Sequence, residues 1–281
     1  MAASAQLDPS RRDRDPMKQS PASDARRKRP PGWFSTTGLK EALARGGCVL
    51  CQVLRTSLRR YLFSFLYEGM MSGIVREKFL EGGGFCQQHF WQAKGIEEEC
   101  WAEGFGIAIL CEDLLQRSLK DLELLSKNPE RLPRNFLKIR RSSAPSARRF
   151  RLVAGADCIA CVMMKSSEEH YLAVLEELLE EPGFGDRYSH SPGLCLRHLQ
   201  AAAERWESAS ALELIRNTAQ KAARQLMTEL REFQRKHDYQ YKHEPRGSEW
   251  SSPERAIEFL AGPGTDLSGF GELHPTHRKR R

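Results

Sequence analysis

Two C-x-x-C pairs, each answered further along by a C-x-x-H, constrain this chain more than any other feature. Cys48 and Cys51 are followed by Cys86 and His89, and Cys158 and Cys161 by Cys195 and His198. Three cysteines and one histidine supply the four soft or borderline donors of a closed tetrahedral metal site, and zinc is the leading ion. Donors at i and i+3 stand on one face of a helical turn, so each short motif offers two ligands to one ion. Gly46 with Gly47, Gly82 to Gly84, Gly155 and Gly193 precede the four motifs. They suit tight turns into helix starts, where free amide N–H groups and the positive dipole end stabilise thiolates. Two zinc ions are therefore expected, with an iron–sulfur cluster on the same ligands as the alternative. The bland reading is two sets of reduced, buried cysteines with histidines at helix ends.

The match between the halves extends beyond the ligands. Tyr61 and Leu62 correspond to Tyr171 and Leu172, and Gly84 and Ala93 to Gly193 and Ala202, which points to an internal repeat. Each half then reads as a helical hairpin. Apolar residues from Leu54 to Leu66 follow helical spacing, and a short returning helix near Ile74 to Leu80 is expected to bring Cys86 back to the first cysteine pair. A second long helix carries Ile107, Cys111, Leu114, Leu115, Leu122 and Leu125 on its inner face. In the second half, Tyr171 to Leu179 mark a helix closed by Pro182 and Gly183. Leu212 to Phe233 step by three or four residues in the clearest helix of the chain. Ser251 or Ser252 with Pro253 opens a last one. Cys100 and Cys111, about three helical turns apart, are expected to share a face as buried packing. No run alternates with a period of two, so the fold class is all-α: two duplicated helical-hairpin modules, each closed by its own Cys3His site.

Charge marks the boundaries. The net charge of +7 is local, because residues 1–31 carry +4, residues 131–151 carry +8 and residues 277–281 carry +4, leaving −9 on the rest. The expected order is a disordered basic tail over 1–34, a metal module over 35–127, a basic linker over 128–153, a second module with C-terminal helices over 154–262, and a disordered tail over 263–281. No stretch approaches the ~18 uninterrupted apolar residues of a membrane span, and no secretory or twin-arginine signal is legible. A cytoplasmic location follows, where thiols stay reduced and serve as metal ligands rather than a disulfide framework.

Complete ligand sets point to a non-catalytic regulatory or interaction module that binds a protein partner, because four protein ligands leave no open position for water. The alternative is a thiol-based redox protein or switch using the same cysteines, although no βαβ pattern surrounds either pair. A third reading is an enzyme with a polar site at His237, Asp238, Tyr239, Tyr241, His243 and Glu244. The basic segments favour only non-specific, salt-sensitive association with nucleic acid.

The segments GGFCQQHFW (Gly83 to Trp91), GLCLRHL (Gly193 to Leu199), EFQRKHDYQYKHEPRG (Glu232 to Gly247) and RAIEFLAG (Arg255 to Gly262) resemble an uncharacterised bacterial family, domain of unknown function 6062. The resemblance covers residues 38 to 262 and retains all eight ligands. It implies architecture, and the family carries no activity or substrate to transfer.

Overall fold

The computed structural model describes residues 33–127 and 158–267, which form ten α-helices and no strand. The expected tail over 1–34 lies outside them except for Trp33 and Phe34, and the expected linker over 128–153 lies outside them entirely. The helices are α1 (Trp33–Arg45), α2 (Val49–Tyr67), α3 (Gly73–Glu81), α4 (Gln87–Trp101) and α5 (Phe105–Lys127), then α6 (Ile159–Leu179), α7 (Pro182–Ser189), α8 (Leu196–Ala203), α9 (Ala209–Lys236) and α10 (Ser252–Ala261). Short 3-10 turns lie at Gly69–Met71 and Ser248–Ser251.

The two central helices, α2 and α6, pack side by side and run in opposite directions. Leu50 and Leu54 near the start of α2 share a core with Leu172, Leu175 and Leu178 near the end of α6. Leu58, Leu62 and Phe65 further along α2 share a second core with Cys158 and Ala160 at the start of α6. Ser57 Oγ lies 3.3 Å from the Tyr171 hydroxyl where the helices cross midway. Leu39 and Ala42 of α1, Phe184 and Tyr188 of α7, and Ile215 of α9 complete the first core. Phe79 of α3, Ile96 of α4, Leu110 of α5 and Leu267 complete the second. Both cores therefore draw on both halves of the chain. Each leucine, isoleucine or phenylalanine among them contributes about 1.5–3 kcal/mol when fully buried.

This arrangement corrects the expectation that each half closes on itself. Helix α2 has 19 residues and α3 only nine, so at 1.5 Å per residue α3 retraces about 14 Å of about 28 Å. A tight turn then ends it. Gly84 N–H donates to Phe79 O at 2.9 Å and Gly83 N–H to Leu80 O at 3.1 Å, the paired bonds of a Schellman motif. The chain is thus reversed beside the far end of α2, where α6 begins, and Cys86 cannot reach Cys48. Phe85 fixes that position by meeting Phe65 and Phe79 edge-on, with ring centroids 5.0 Å apart in each pair.

Gly84 (φ 88°) and Gly193 (φ 79°) occupy the same position two residues before a ligand cysteine. A Cβ at Gly84 would lie 2.7 Å from Leu114 Cδ1, and one at Gly193 would lie 3.1 Å from Thr218 Cγ2. Gly193→Ala is expected to lower stability by about 1–3 kcal/mol, read as a fall in the urea midpoint, because the left-handed backbone and the contact act together. An unchanged midpoint would remove this account of the glycine.

Three further expectations are corrected. Cys100 lies in the last turn of α4 and Cys111 within α5, separated by the left-handed Ala102 (φ 53°), so they share no helix face. Both are half-buried. Leu115 and Leu122 point outward at 65% and 46% exposure, and Leu110 fills the core instead. Pro182 and Gly183 open α7 rather than merely closing α6, as proline at the first helical position allows.

Side chains also fasten the joints. The buried Glu97 carboxylate accepts from Ile107 N–H at 2.9 Å at the start of α5. Glu176 Oε1 accepts from Glu207 and Ser208 N–H at 2.8 and 2.9 Å, while Ser208 Oγ caps α9 by accepting from Ala211 N–H. Residues 263–267 lie along α2 and α4. Arg59 Nη1 donates to Leu267 O at 2.7 Å, and Arg55 and Gln92 donate to the carbonyls of Asp266 and Thr265.

Candidate metal centres

All four first ligands occupy the same local position. Cys48, Cys86, Cys158 and Cys195 are the N-cap residues of α2, α4, α6 and α8, with extended or near-extended backbones and no side-chain cap hydrogen bond. The second ligand of each motif, Cys51, His89, Cys161 or His198, follows three residues later on the first helical turn. The positive dipole end and the unpaired N–H groups of that turn favour a thiolate at each start.

The structure brings the eight predicted ligands together as two quartets, and each quartet takes one pair from each half. The first centre is Cys48, Cys51, Cys195 and His198, and the second is Cys86, His89, Cys158 and Cys161. Within each quartet the donor atoms lie within 4.8 Å of one another. At the first centre His198 Nδ1 stands 3.4, 3.3 and 3.3 Å from the sulfurs of Cys48, Cys51 and Cys195, and the Cys51 and Cys195 sulfurs are 3.7 Å apart. At the second, His89 Nδ1 stands 3.2, 3.5 and 3.4 Å from Cys86, Cys158 and Cys161, and the Cys86 and Cys161 sulfurs are 3.8 Å apart. Antiparallel packing of α2 on α6 dictates the exchange: each helix start lies at the end of the pair where the other half's C-x-x-H arrives.

The crowded donors perturb one another's protonation, and the two histidines shift in opposite directions, His89 down and His198 up. Contacts with Cys195 and Cys48, together with burial, raise the Cys51 thiol far above its ordinary value. Burial and the nearby Cys158 and Cys86 push Cys161 up to about 12. Burial lowers the pKa of His89, which keeps its imidazole neutral and available as a donor. Several thiolates cannot share so small a space without a positive charge between them, and a metal ion held by the four donors would supply it.

The outer contacts of the two histidines differ. Glu168 Oε1 lies 3.2 Å from His198 Nε2 and 3.1 Å from Arg197 Nη2. Its contact with His198, reinforced by Arg197, holds the Glu168 carboxyl down at about 2 against the opposing effect of burial. Among the described residues no carboxylate pairs with His89. A cavity of about 350 Å3 adjoins the first centre, with Cys48, Cys195, Lys221, Leu226 and Phe259 in its wall. Glu168 and this cavity escaped the sequence reading, because only the fold brings α6 against α8 and α10 beside α9.

The other polar candidates do not converge on a site. His237 stacks on Trp250 with centroids 5.1 Å apart, and its Nδ1 lies 2.8 Å from Phe233 O. Glu244 pairs with Arg235, whose guanidinium lies 4.5 Å above the Tyr241 ring. Asp238 accepts from Gln240 N–H at 3.0 Å, while Tyr239 is 77% exposed and His243 is also exposed. These contacts fasten the turn after α9. Nearby Glu249 is held at about 2 by Lys236 and by Gly247 N–H.

No helix among the described residues is long and apolar enough to cross a membrane. The chain is 22% identical over 220 residues to an uncharacterized 23.9 kDa protein in the xynA 3′ region of Caldicellulosiruptor sp. (strain Rt8B.4), covering 76% of this chain and 95% of that relative. No solved structure matches it. A family of unknown function, DUF6062, matches residues 35–266, a span that holds all eight ligands and every helix from α2 to α10, and the chain belongs to that family.

Proposed function

We propose that this protein binds two zinc ions as structural fasteners and acts as a non-catalytic interaction or regulatory module of the cytoplasm, with a protein as its partner. The observation that carries the reading is donor spacing. Zinc with bonds of about 2.3 Å to sulfur and 2.0–2.1 Å to nitrogen spaces tetrahedral donors roughly 3.5–3.8 Å apart. The sulfur–sulfur distances of 3.7 and 3.8 Å and the nitrogen–sulfur distances of 3.2 to 3.5 Å are close to those edges. A multi-iron cluster distributes its cysteines over separate irons and needs them wider apart, so the spacing favours a single ion. Four protein donors fill that ion's coordination, which supports a structural task over hydrolysis. Reduced thiols in all eight cysteines are compatible with the cytoplasm.

Protein purified without a histidine tag from zinc-supplemented cells is expected to carry two zinc ions per chain by elemental analysis, with no visible absorbance. Cobalt substitution is expected to produce the intense visible bands of tetrahedral sulfur and nitrogen ligation. Under half an equivalent of zinc, or a coloured iron protein, would overturn the assignment.

A further inference from the structure

The two centres share ligand types, helix positions and donor spacing, and they differ behind the histidine. A metal-bound imidazole is oriented and made more basic by an acceptor on its other nitrogen, and losing that acceptor typically costs 10–100-fold in metal affinity. At the first centre the carboxylate behind that nitrogen is Glu168, whose Oε1 lies 3.2 Å from His198 Nε2, within reach to accept from it once the imidazole settles on an ion, although the two do not meet in hydrogen-bond geometry here. Glu168 lies seven residues after Cys161 in α6, and the corresponding position after Cys51 in α2 is Leu58. Leu58 is 4% exposed and belongs to the second core, so the side chain that would back His89 is a hydrocarbon.

From this asymmetry we propose that the first centre holds its ion permanently while the second, at Cys86, His89, Cys158 and Cys161, is an exchangeable metal site. Glu168 is the positioning residue that separates them. The inference rests on the zinc reading above and deepens it. Access acts in the same direction, since Cys86 and Cys161 are half-buried while Cys51, Cys195 and His198 are buried, and substituting Glu168 separates the two effects because it leaves access to the second centre unchanged. The decisive difference proposed is how firmly the imidazole is held. The second centre joins the starts of α4 and α6, so its ion controls the junction between the two halves at that end. A cytosolic chelator or a competing metal site is the chemical class of partner that would exchange with it.

The test uses the full zinc-loaded chain and the chromogenic chelator 4-(2-pyridylazo)resorcinol, with release followed in time. Two phases of one zinc each are expected. Cys161→Ser should abolish the fast phase and leave the slow one. Glu168→Gln, which keeps the side-chain size and removes its charge, should accelerate the slow phase by about 10–100-fold and leave the fast phase unchanged. Circular dichroism of the zinc-loaded variant controls for folding, and a general loosening would move both phases together. Release of two zincs in a single phase, a slow phase belonging to the second centre, or an unaltered slow phase in Glu168→Gln would each overturn the proposal. A chain carrying no zinc would sink the zinc reading along with it.

Discussion

Stripping both ions with excess chelator at neutral pH is expected to unfold most of the helical body, with the melting temperature falling by well over ~10 °C. Structural zinc contributes an apparent ~10–16 kcal/mol to the folding of small zinc-finger peptides. A third of that from each of two centres would total about 7–11 kcal/mol, comparable with the whole net stability of about 5–15 kcal/mol typical of native proteins. The location of the centres adds to the effect. Removing the ions leaves Cys51, Cys195, His198, His89 and Cys158 buried around empty centres, where their polar atoms are poorly compensated. Acid should act in the same direction, because thiolate and imidazole ligands must be deprotonated to bind. Bound zinc would therefore stabilise the fold at neutral pH, and that contribution is expected to be lost as the pH falls and protons displace the metal. An apo chain that melts cooperatively at the holo temperature would reduce the ions to incidental occupants.

The second large effect distinguishes the crossed pairing from self-closed halves. Cys48→Ser combined with Cys86→Ser is expected to destroy both centres, although both residues lie in the first half. Cys48→Ser combined with Cys195→Ser should spare the second centre and leave one zinc per chain, since these two residues serve the same ion. If each half closed on itself, the outcomes would be reversed. Elemental analysis with circular dichroism reads the difference directly, and one zinc retained by the Cys48/Cys86 variant would refute the crossed arrangement.

The eight ligands and the helical class were legible because both depend on local spacing. C-x-x-C and C-x-x-H read as helix starts, and Leu212 to Phe233 show a helical period no other element could satisfy. The partition of ligands was not legible, since it depends on how far α3 retraces α2 and on the direction in which α6 crosses it. Those are lengths and orientations, whereas a motif records only order. Leu115 and Leu122 misled for a related reason: apolar spacing marks a helix face without naming what covers it, and Leu115, Leu119 and Leu122 remain exposed. The break at Ala102 was hidden because alanine is a good helix former, here in the left-handed backbone region. Leu267 had no periodic neighbours to announce that it is buried in the second core.

The crossed quartets also impose a timetable on synthesis. The first half supplies Cys48, Cys51, Cys86 and His89, yet these belong to two different quartets and complete neither. As the chain lengthens from its N-terminus, the second centre gains its last ligand at Cys161 and the first only at His198. His198 contacts Cys51 across a sequence separation of 147 residues, and Cys161 contacts His89 across 72. Until then the emerging segment presents three thiols and an imidazole with no closed site, and a metal ion captured early can be held by no more than a temporary ligand set. Cys48 and Cys51 must therefore stay reduced and α2 unfastened through the production of well over a hundred residues, and the first quartet is complete only after α8 has begun.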